Sequence, residues 1–309
     1  MQSNTLFITY DGLLDPLGGS QILPYVCSIA QHPRRMHILS FEKKHRLTVD
    51  SGKLKQSLIE KDIAWTVLSF TAGFGQAGKL WDLCRMYLIA AYIVAREKVK
   101  IIHARGHPSA QTGLFLKRIF GTKLIFDFRG LWVDERVDKG RWHMDRSLHR
   151  IQYKYFKRTE RKLLENSDQV VVLTHAVVNE VMRLGGIPHS KITVIPCCAD
   201  FAHFPLANSR RRQAARRNLL IPPNALVLGY LGSIGRVYMI EEFFRFFMLA
   251  AVEYPHVHAL LISQNVKALH RLIACSLPLR LQNRVHVCSG TRAEVPDLIP
   301  AMDVLVSFT

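Results

Sequence analysis

The chain has 309 residues and carries 42 Lys and Arg against 24 Asp and Glu, a formal net charge of +18 at pH 7 with His neutral. Hydrophobic residues at 49% and charged residues at 21% allow a large buried core, which excludes disorder as the dominant state. Six cysteines without a C-x-x-C pair argue against a disulfide scaffold and a cysteine-based zinc site. No apolar run reaches the roughly 20 residues of a membrane span, and the N-terminus lacks the charged and apolar regions of a signal peptide. A cytoplasmic globular protein is expected. Its charge asks for an anionic partner: a phosphate-bearing ligand, nucleic acid or an acidic membrane surface.

Short apolar runs at 6–10, 36–41, 65–70, 101–104, 124–128, 170–173 and 192–195 alternate with helical patterns. Most runs are continuous, as expected of parallel strands covered on both faces. Such alternation implies βαβ units in a doubly wound sheet. The stretch from Pro196 to Pro223 breaks the pattern and ends in five Arg between Arg210 and Arg217. Alternation restarts with strands expected at 226–231, 259–262, 285–288 and 303–308. The expected organisation is a Rossmann-like domain over 1–200, a connection over 201–221 and a second Rossmann-like domain over 222–309. The last run stops at Thr309, so the second domain is expected to be incomplete.

The first strand leads into Asp11-Gly12 and then Gly18-Gly19-Ser20, with a helix expected from Ser20. A Gly-Gly pair before a helix lets backbone N–H groups approach a phosphate. An ordinary flexible turn reads equally from these residues, and no dinucleotide fingerprint G-x-G-x-x-G is present. Next, Ile101-Ile102-His103-Ala104-Arg105-Gly106-His107 places two His and one Arg at a strand's C-terminal end, where doubly wound folds hold their ligands. Packing of His103 under the next helix is the competing reading.

The segment from Leu124 ends an apolar strand in Asp127, Arg129, Trp132, Asp134, Glu135 and Arg136. That charge density points to a cleft lined for a sugar or phosphate; the alternatives are surface pairs Asp127–Arg129 or Asp134–Arg136. The helix expected from Ser147 to Asn166 puts Leu148, Ile151, Tyr155 and Leu163 on one face, read as the core face. Arg150, Lys154, Lys157 and Arg161 form a basic stripe read as opposite to it, either solvated or drawn to an anionic membrane. A second Gly-rich strand end, Gly229-Tyr230-Leu231-Gly232-Ser233, precedes Arg236, which is suited to a diphosphate or to solvent. No recognised nucleic-acid module appears, so nucleic acid is not expected as a partner.

Taken together and in order, these segments resemble the GT-B glycosyltransferases, specifically glycosyltransferase family 4. The resemblance rests on Gly18-Gly19-Ser20, on Ile102-His103-Ala104-Arg105 and on Ser167-Asp168 with the run to Thr174. Most specific is Lys191 through Cys197-Cys198-Ala199-Asp200 with Phe204-Pro205, which resembles the family's K-I-x-V-I-P-N-G-V-D…F-x-P segment. Gly232-Ser233, Arg284 through Val287 with Gly290, and Ala301-Met302-Asp303-Val304 extend it into the second domain.

The resemblance implies two Rossmann-like domains and transfer of a sugar from a nucleotide diphosphate sugar with retention at the anomeric carbon. The implied acceptor is a glycan or lipid-linked molecule, in cell-surface polysaccharide synthesis. No cofactor and no metal are implied, since positive groups and helix N-termini stabilise the departing diphosphate. Attachment at the inner membrane face is implied as peripheral. The catalytic candidates are His103, Arg105 and Asp127; the donor-binding candidates are Gly18, Gly19, Arg129, Gly232, Ser233 and Arg236. Arg105 stands where the family often has a second His, and Ser233 stands where it has a diphosphate-binding Arg, with Arg236 as the nearest substitute. The family's two Glu seven residues apart would fall beyond Thr309, so the chain is expected to be C-terminally truncated. A catalytically inactive GT-B module held on anionic surfaces is the alternative expectation.

Overall fold

The computed structural model describes residues 4–30, 35–71, 73–235 and 238–308. Two compact units divide the chain, Met1–Cys198 and Ala199–Thr309. In the first unit the chain alternates between strand and helix. The elements are β1 (Thr5–Thr9), a π-helical turn (Gly18–Ile22) continuing into α1 (Leu23–Ala30), β2 (Met36–Glu42), α2 (Lys44–Ile59), β3 (Ile63–Ser69), α3 (Gly75–Glu97), β4 (Ile101–Arg105) and α4 (Gly106–Phe120). They continue with β5 (Lys123–Asp127), α5 (Trp132–Asp138), α6 (Ser147–Asn166), β6 (Gln169–Val172), α7 (Val178–Gly185) and β7 (Ile192–Val194).

The strands pair in parallel in the order β3-β2-β1-β4-β5-β6-β7. Parallel strands need crossovers, and right-handed crossovers from β1 outward in both directions put helices on both faces. One face buries Phe7, Ile38 and Ile63 with Ile22 and Val26 of the first helix and Leu58 of α2. The other buries Ile102, Ala104 and Phe126 with residues of α3, α4, α6 and α7. Every residue of β1 and β2 is buried, which explains their unbroken apolar runs.

The second unit holds α8 (Ser209–Asn218), β8 (Leu226–Leu231), α9 (Ile240–Glu253), β9 (Val257–Ile262) and α10 (Val266–Ser276). After these come α11 (Leu279–Gln282), β10 (Val285–Cys288), α12 (Val295–Leu298) and β11 (Val304–Leu305). Its strands are parallel in the order β10-β9-β8-β11. The final strand, expected over 303–308, forms ladder pairs only at Val304 and Leu305. Within the stretch 201–221, expected as a connection, α8 packs into the second unit's core through Ala215. Its Arg216 is buried, pairs with Asp303 at 2.7 Å and donates to the carbonyls of Ala301, Pro223 and Ala225. Arg211 pairs with Asp297 at 3.1 Å, and Arg212 with Asp303. Three of the five clustered arginines are therefore bound by the unit itself.

Helix α6 is turned differently from its sequence pattern. Leu163 is buried as expected, but Leu148, Ile151 and Tyr155 lie 60–65% exposed. The inward face carries Glu160 and Leu164, both fully buried, with Tyr153, Phe156 and Lys157 partly covered. Lys157, expected in the solvated basic stripe, instead bonds Glu160 at 2.6 Å and Asp134 at 2.9 Å. Buried charge can occupy the inner face because each carboxylate there has a cation or imidazole partner.

Candidate active site

Side chains alternate along β4. Ile102 and Ala104 enter the core shared with α3 and α4, while His103 and Arg105 take the face occupied by α1. There Phe7 is the register partner of His103, with ring centroids 4.8 Å apart, and Tyr25 of α1 meets the imidazole edge-to-face at 5.5 Å. Arg105 and Asp127 close β4 and β5 as register partners, side by side at the carboxyl edge. Gly106, with φ of 76°, then turns the chain straight into α4, a conformation that favours glycine.

Asp127 is the hub of a buried ion cluster. One carboxylate oxygen lies 3.5 Å from Arg105 Nη1 and 3.9 Å from His103 Nε2; the other lies 3.5 Å from Arg129 Nη1. His103, Arg105 and Asp127 are each no more than 4% exposed. Burial alone would raise the Asp127 pKa, but His103, Arg129 and Arg105 outweigh it and hold the carboxyl below the usual carboxylate range. Burial and the neighbouring Arg129 push the Arg105 guanidinium down, opposed by Asp127 and Asp11. His103 Nε2 and Arg105 Nε are buried without a hydrogen-bond partner, a condition that costs about 1–3 kcal/mol per group. Arg129, with about a quarter of its side chain exposed, and the half-exposed Asp11, 3.5 Å from Arg105 Nε, form the accessible rim.

The helix expected from Ser20 begins earlier, and Gly18–Ile22 forms a π-helical turn closed by the Leu23 N–H on the Gly18 carbonyl. Ser20 lies inside that turn, its hydroxyl on the Leu17 carbonyl at 3.3 Å. The two glycines do different things. A Cβ on Gly18 would sit 2.0 Å from the Gly12 carbonyl oxygen, whereas one on Gly19 would meet nothing within 4 Å. The Gly19 N–H, offered by the sequence to a phosphate, donates to the Asp15 carbonyl at 2.9 Å. The loop before it is propped by the fully buried Glu42, which accepts from the Leu13 N–H at 2.7 Å and the Leu14 N–H at 3.2 Å. Burial pushes the Glu42 carboxyl above its ordinary range, although those bonds and one from Ser40 oppose the rise.

Gln21, which the motif reading passed over, sits in the π turn. Its Oε1 accepts from Arg105 Nη2 at 3.0 Å and from Arg129 Nη2 at 2.8 Å. Tyr25, four residues on, shares its helix face, and burial first, then Asp127, pushes its phenol up to about 12. The i, i+4 spacing of Gln21 and Tyr25 behind the glycine loop is the signal that would have found both. Exposed Cys197, after β7, lies 3.6 Å from Arg129 Nη2.

The alternative reading, an Asp134–Arg136 surface pair, is not formed. Asp134 accepts from the Tyr153 hydroxyl at 2.7 Å and pairs with Lys157, while the Arg136 guanidinium stacks 4.2 Å over the Trp132 ring. His107 turns inward to Glu160 at 2.9 Å and stacks on Trp132 at 5.4 Å. This second polar network fastens α5 and α4 to α6 and stands apart from the Asp127 cluster.

In the second unit, Gly232 N–H donates to the Ile262 carbonyl at 3.1 Å, and the Tyr230 hydroxyl to the Ser233 carbonyl at 2.6 Å. These bonds shape the turn at the end of β8. Arg236, expected on a diphosphate, lies outside the described residues. Among the described residues, no group of three or more His, Cys, Asp or Glu comes together as a metal-ligand set.

A family model for the glycosyl transferase 4-like domain matches residues 60–198, the stretch that carries His103, Arg105, Asp127 and Arg129. The first unit contains a glycosyl transferase 4-like domain. The chain bearing this glycosyltransferase domain is a transferase enzyme. No curated protein matches it. Among solved structures, it is similar to HepE of Anabaena in complex with UDP and glucose, at 19% identity and a TM-score of 0.65 over 98% of this chain and 73% of that one. Sucrose-phosphate synthase from Thermosynechococcus elongatus is similar at 14% identity and TM-score 0.68, over 98% and 75%. UDP-GlcNAc 2-epimerase from Methanocaldococcus jannaschii is similar at 13% and 0.57, over 99% and 78%. At these identities the likeness shows the fold alone, and that fold is the GT-B fold with its Rossmann-like domains.

Proposed function

We propose that this glycosyltransferase moves a sugar from a nucleotide diphosphate sugar to a glycan or lipid-linked acceptor, with retention at the anomeric carbon and without a divalent metal, in cell-surface polysaccharide synthesis. The observation that carries the reading is the Asp127 cluster at the carboxyl edge of β4 and β5, inside the segment matched to the glycosyl transferase 4-like domain. The donor class is supported by the UDP and glucose bound to HepE of Anabaena.

Transfer to a hydroxyl releases a proton and leaves negative charge on the departing diphosphate. In this reading His103 handles the proton. The Asp127 carboxylate faces its imidazole, 3.9 Å from Nε2. Arg105, always charged, fixes Asp127 in place and takes no proton. Arg129, the partly exposed guanidinium, meets developing charge on the diphosphate in place of a metal.

The test is calorimetric titration of the purified chain with a panel of UDP-, GDP- and ADP-sugars, followed by transfer assays on glycan and lipid-linked acceptors with and without EDTA. One donor class should bind, Arg129→Ala should weaken it by about tenfold or more, and EDTA should leave the rate unchanged. Binding of no donor refutes the reading. Binding without turnover on any acceptor would favour a non-catalytic module instead.

A further inference from the structure

Residues 196–200, which follow β7, carry two thiols that the proposed reaction does not use. Cys197 and Cys198 are neighbours in the chain, and both are exposed. The Cys197 sulfur accepts from Arg129 Nη2 at 3.6 Å, and the Cys198 thiol donates to the Pro196 carbonyl at 3.4 Å. The Ile195 N–H before them is held by the Val172 carbonyl at 2.8 Å. Among the described residues, no backbone hydrogen bond involves Cys197, Cys198 or Ala199. Their backbone can therefore turn without breaking a hydrogen bond when the thiols change partners.

The other four cysteines offer no such pair. Cys27, Cys84, Cys275 and Cys288 lie on α1, α3, α10 and β10 in turn. Burial pushes the Cys27 and Cys288 thiols up, which slows their reaction. Cys84 and Cys275 are exposed, each alone on its helix. Adjacent residues hold their Cα atoms about 3.8 Å apart, closer than the roughly 4.4–6.8 Å that disulfides prefer. A disulfide between neighbours is therefore strained and easily reduced, which suits a reversible bond and not a structural one. Charge selects the oxidant. The partly exposed Arg129 beside Cys197, on a chain of net charge +18, draws in a small disulfide that carries carboxylates.

We propose that Cys197 and Cys198 form a reversible thiol–disulfide couple, oxidised by small anionic disulfides of the glutathione class, whose state decides whether the Cys197 sulfur holds Arg129. The Cys197 sulfur, as thiolate, attacks one sulfur of the small disulfide; a mixed disulfide forms and one small thiolate leaves. The Cys198 sulfur then attacks that of Cys197, the second small thiolate leaves, and the neighbouring sulfurs are joined. The two thiol protons pass to the two departing thiolates, and the two electrons given up by the cysteines reduce the small disulfide. Joining the sulfurs draws Cys198 from the Pro196 carbonyl and Cys197 from Arg129, whose guanidinium keeps Asp127 and Gln21. This rests on two thiols and a guanidinium and is independent of donor chemistry.

The test is incubation of the reduced full chain with glutathione disulfide, followed by thiol titration of the denatured product and peptide mapping. Wild type should fall from six thiols to four, with one disulfide mapped between Cys197 and Cys198, and dithiothreitol should restore all six. Cys198→Ser should stop at a glutathione adduct on Cys197, formed ahead of any on Cys84 or Cys275. At low salt, glutathione disulfide should react at least about tenfold faster than cationic cystamine, and Arg129→Gln should reduce that preference. Phenylglyoxal should label Arg129 faster in the oxidised chain than in the reduced one, a gain that Cys197→Ala shows without oxidation. Thermal melts confirm that the variants fold. Retention of six thiols, a lasting glutathione adduct in wild type, or a disulfide to any other cysteine overturns the proposal. So does the absence of an anionic preference, or Arg129 labelling that oxidation leaves unchanged.

Discussion

Asp127→Asn preserves the shape of the hub and removes its charge. Arg105, 4% exposed, then loses its buried counter-charge and keeps only the half-exposed Asp11, 3.5 Å from Nε, and Gln21. Removing one partner of a buried ion pair costs about 3–5 kcal/mol, and the remaining contacts place this case near the lower end, about 3 kcal/mol. For a unit of this size the melting temperature should fall by about 6–12 °C. The cost should depend on pH with a definite sign. The folded-state pKa of Asp127 lies below the unfolded value, so its stabilisation is complete above about pH 4 and is lost as pH falls through the lower folded value. Urea denaturation of wild type and variant across that range checks it: the gap should be widest near neutrality and close in acid. A variant within about 0.5 kcal/mol of wild type at neutral pH, or a gap unchanged in acid, would refute the ion-cluster account.

Gly18→Ala should disrupt the π turn and lower the transition by several degrees, because its Cβ would overlap the Gly12 carbonyl oxygen, whereas Gly19→Ala should be tolerated; paired thermal melts compare them. The Tyr25 phenol, pushed up to about 12, should stay protonated well past pH 10 in ultraviolet titration. Its linked stability should be present below pH 10 and fall between about pH 10 and 12, a slope that Tyr25→Phe removes. Arg216→Met in the second unit strips Asp303 of its buried partner and orphans three carbonyls. It should cost about 3–5 kcal/mol and speed amide exchange in β8 and β11, leaving β1 and β4 unchanged.

The sheet was readable because parallel strands leave continuous apolar runs. The expected runs at 36–41 and 101–104 fall inside Met36–Glu42 and Ile101–Arg105. Helix orientation was harder. In α6, Leu148, Ile151 and Tyr155 have the spacing of a core stripe, yet periodicity says only that a face is apolar and not what it meets. Here the inner face is taken by Glu160, made tolerable by His107 and Lys157, which no local pattern announces. The last strand is shorter than expected: Asp303 N–H and Val306 N–H bond the Val227 and Gly229 carbonyls, but only Val304 and Leu305 are ladder pairs with β8.

The site was legible where strand ends supply it and obscure where a helix does. His103, Arg105 and Asp127 could be named from the rule that ligands gather at carboxyl edges, and the register brings Arg105 and Asp127 side by side. Gln21 has no charge and follows a glycine loop read for phosphate, so nothing in its type marked it as the acceptor shared by two guanidiniums. Its position follows from β1 leading into a helix over the same sheet face as His103 and Arg105. The departure at Arg105 now has a physical consequence. A guanidinium cannot exchange a proton near neutrality as a second histidine could, so any proton handling at β4 falls to His103 alone. Arg105 and Arg129 instead share Asp127 and Gln21. Buried Arg105 is locked into the fold, while Arg129, on the rim, keeps about a quarter of its side chain exposed.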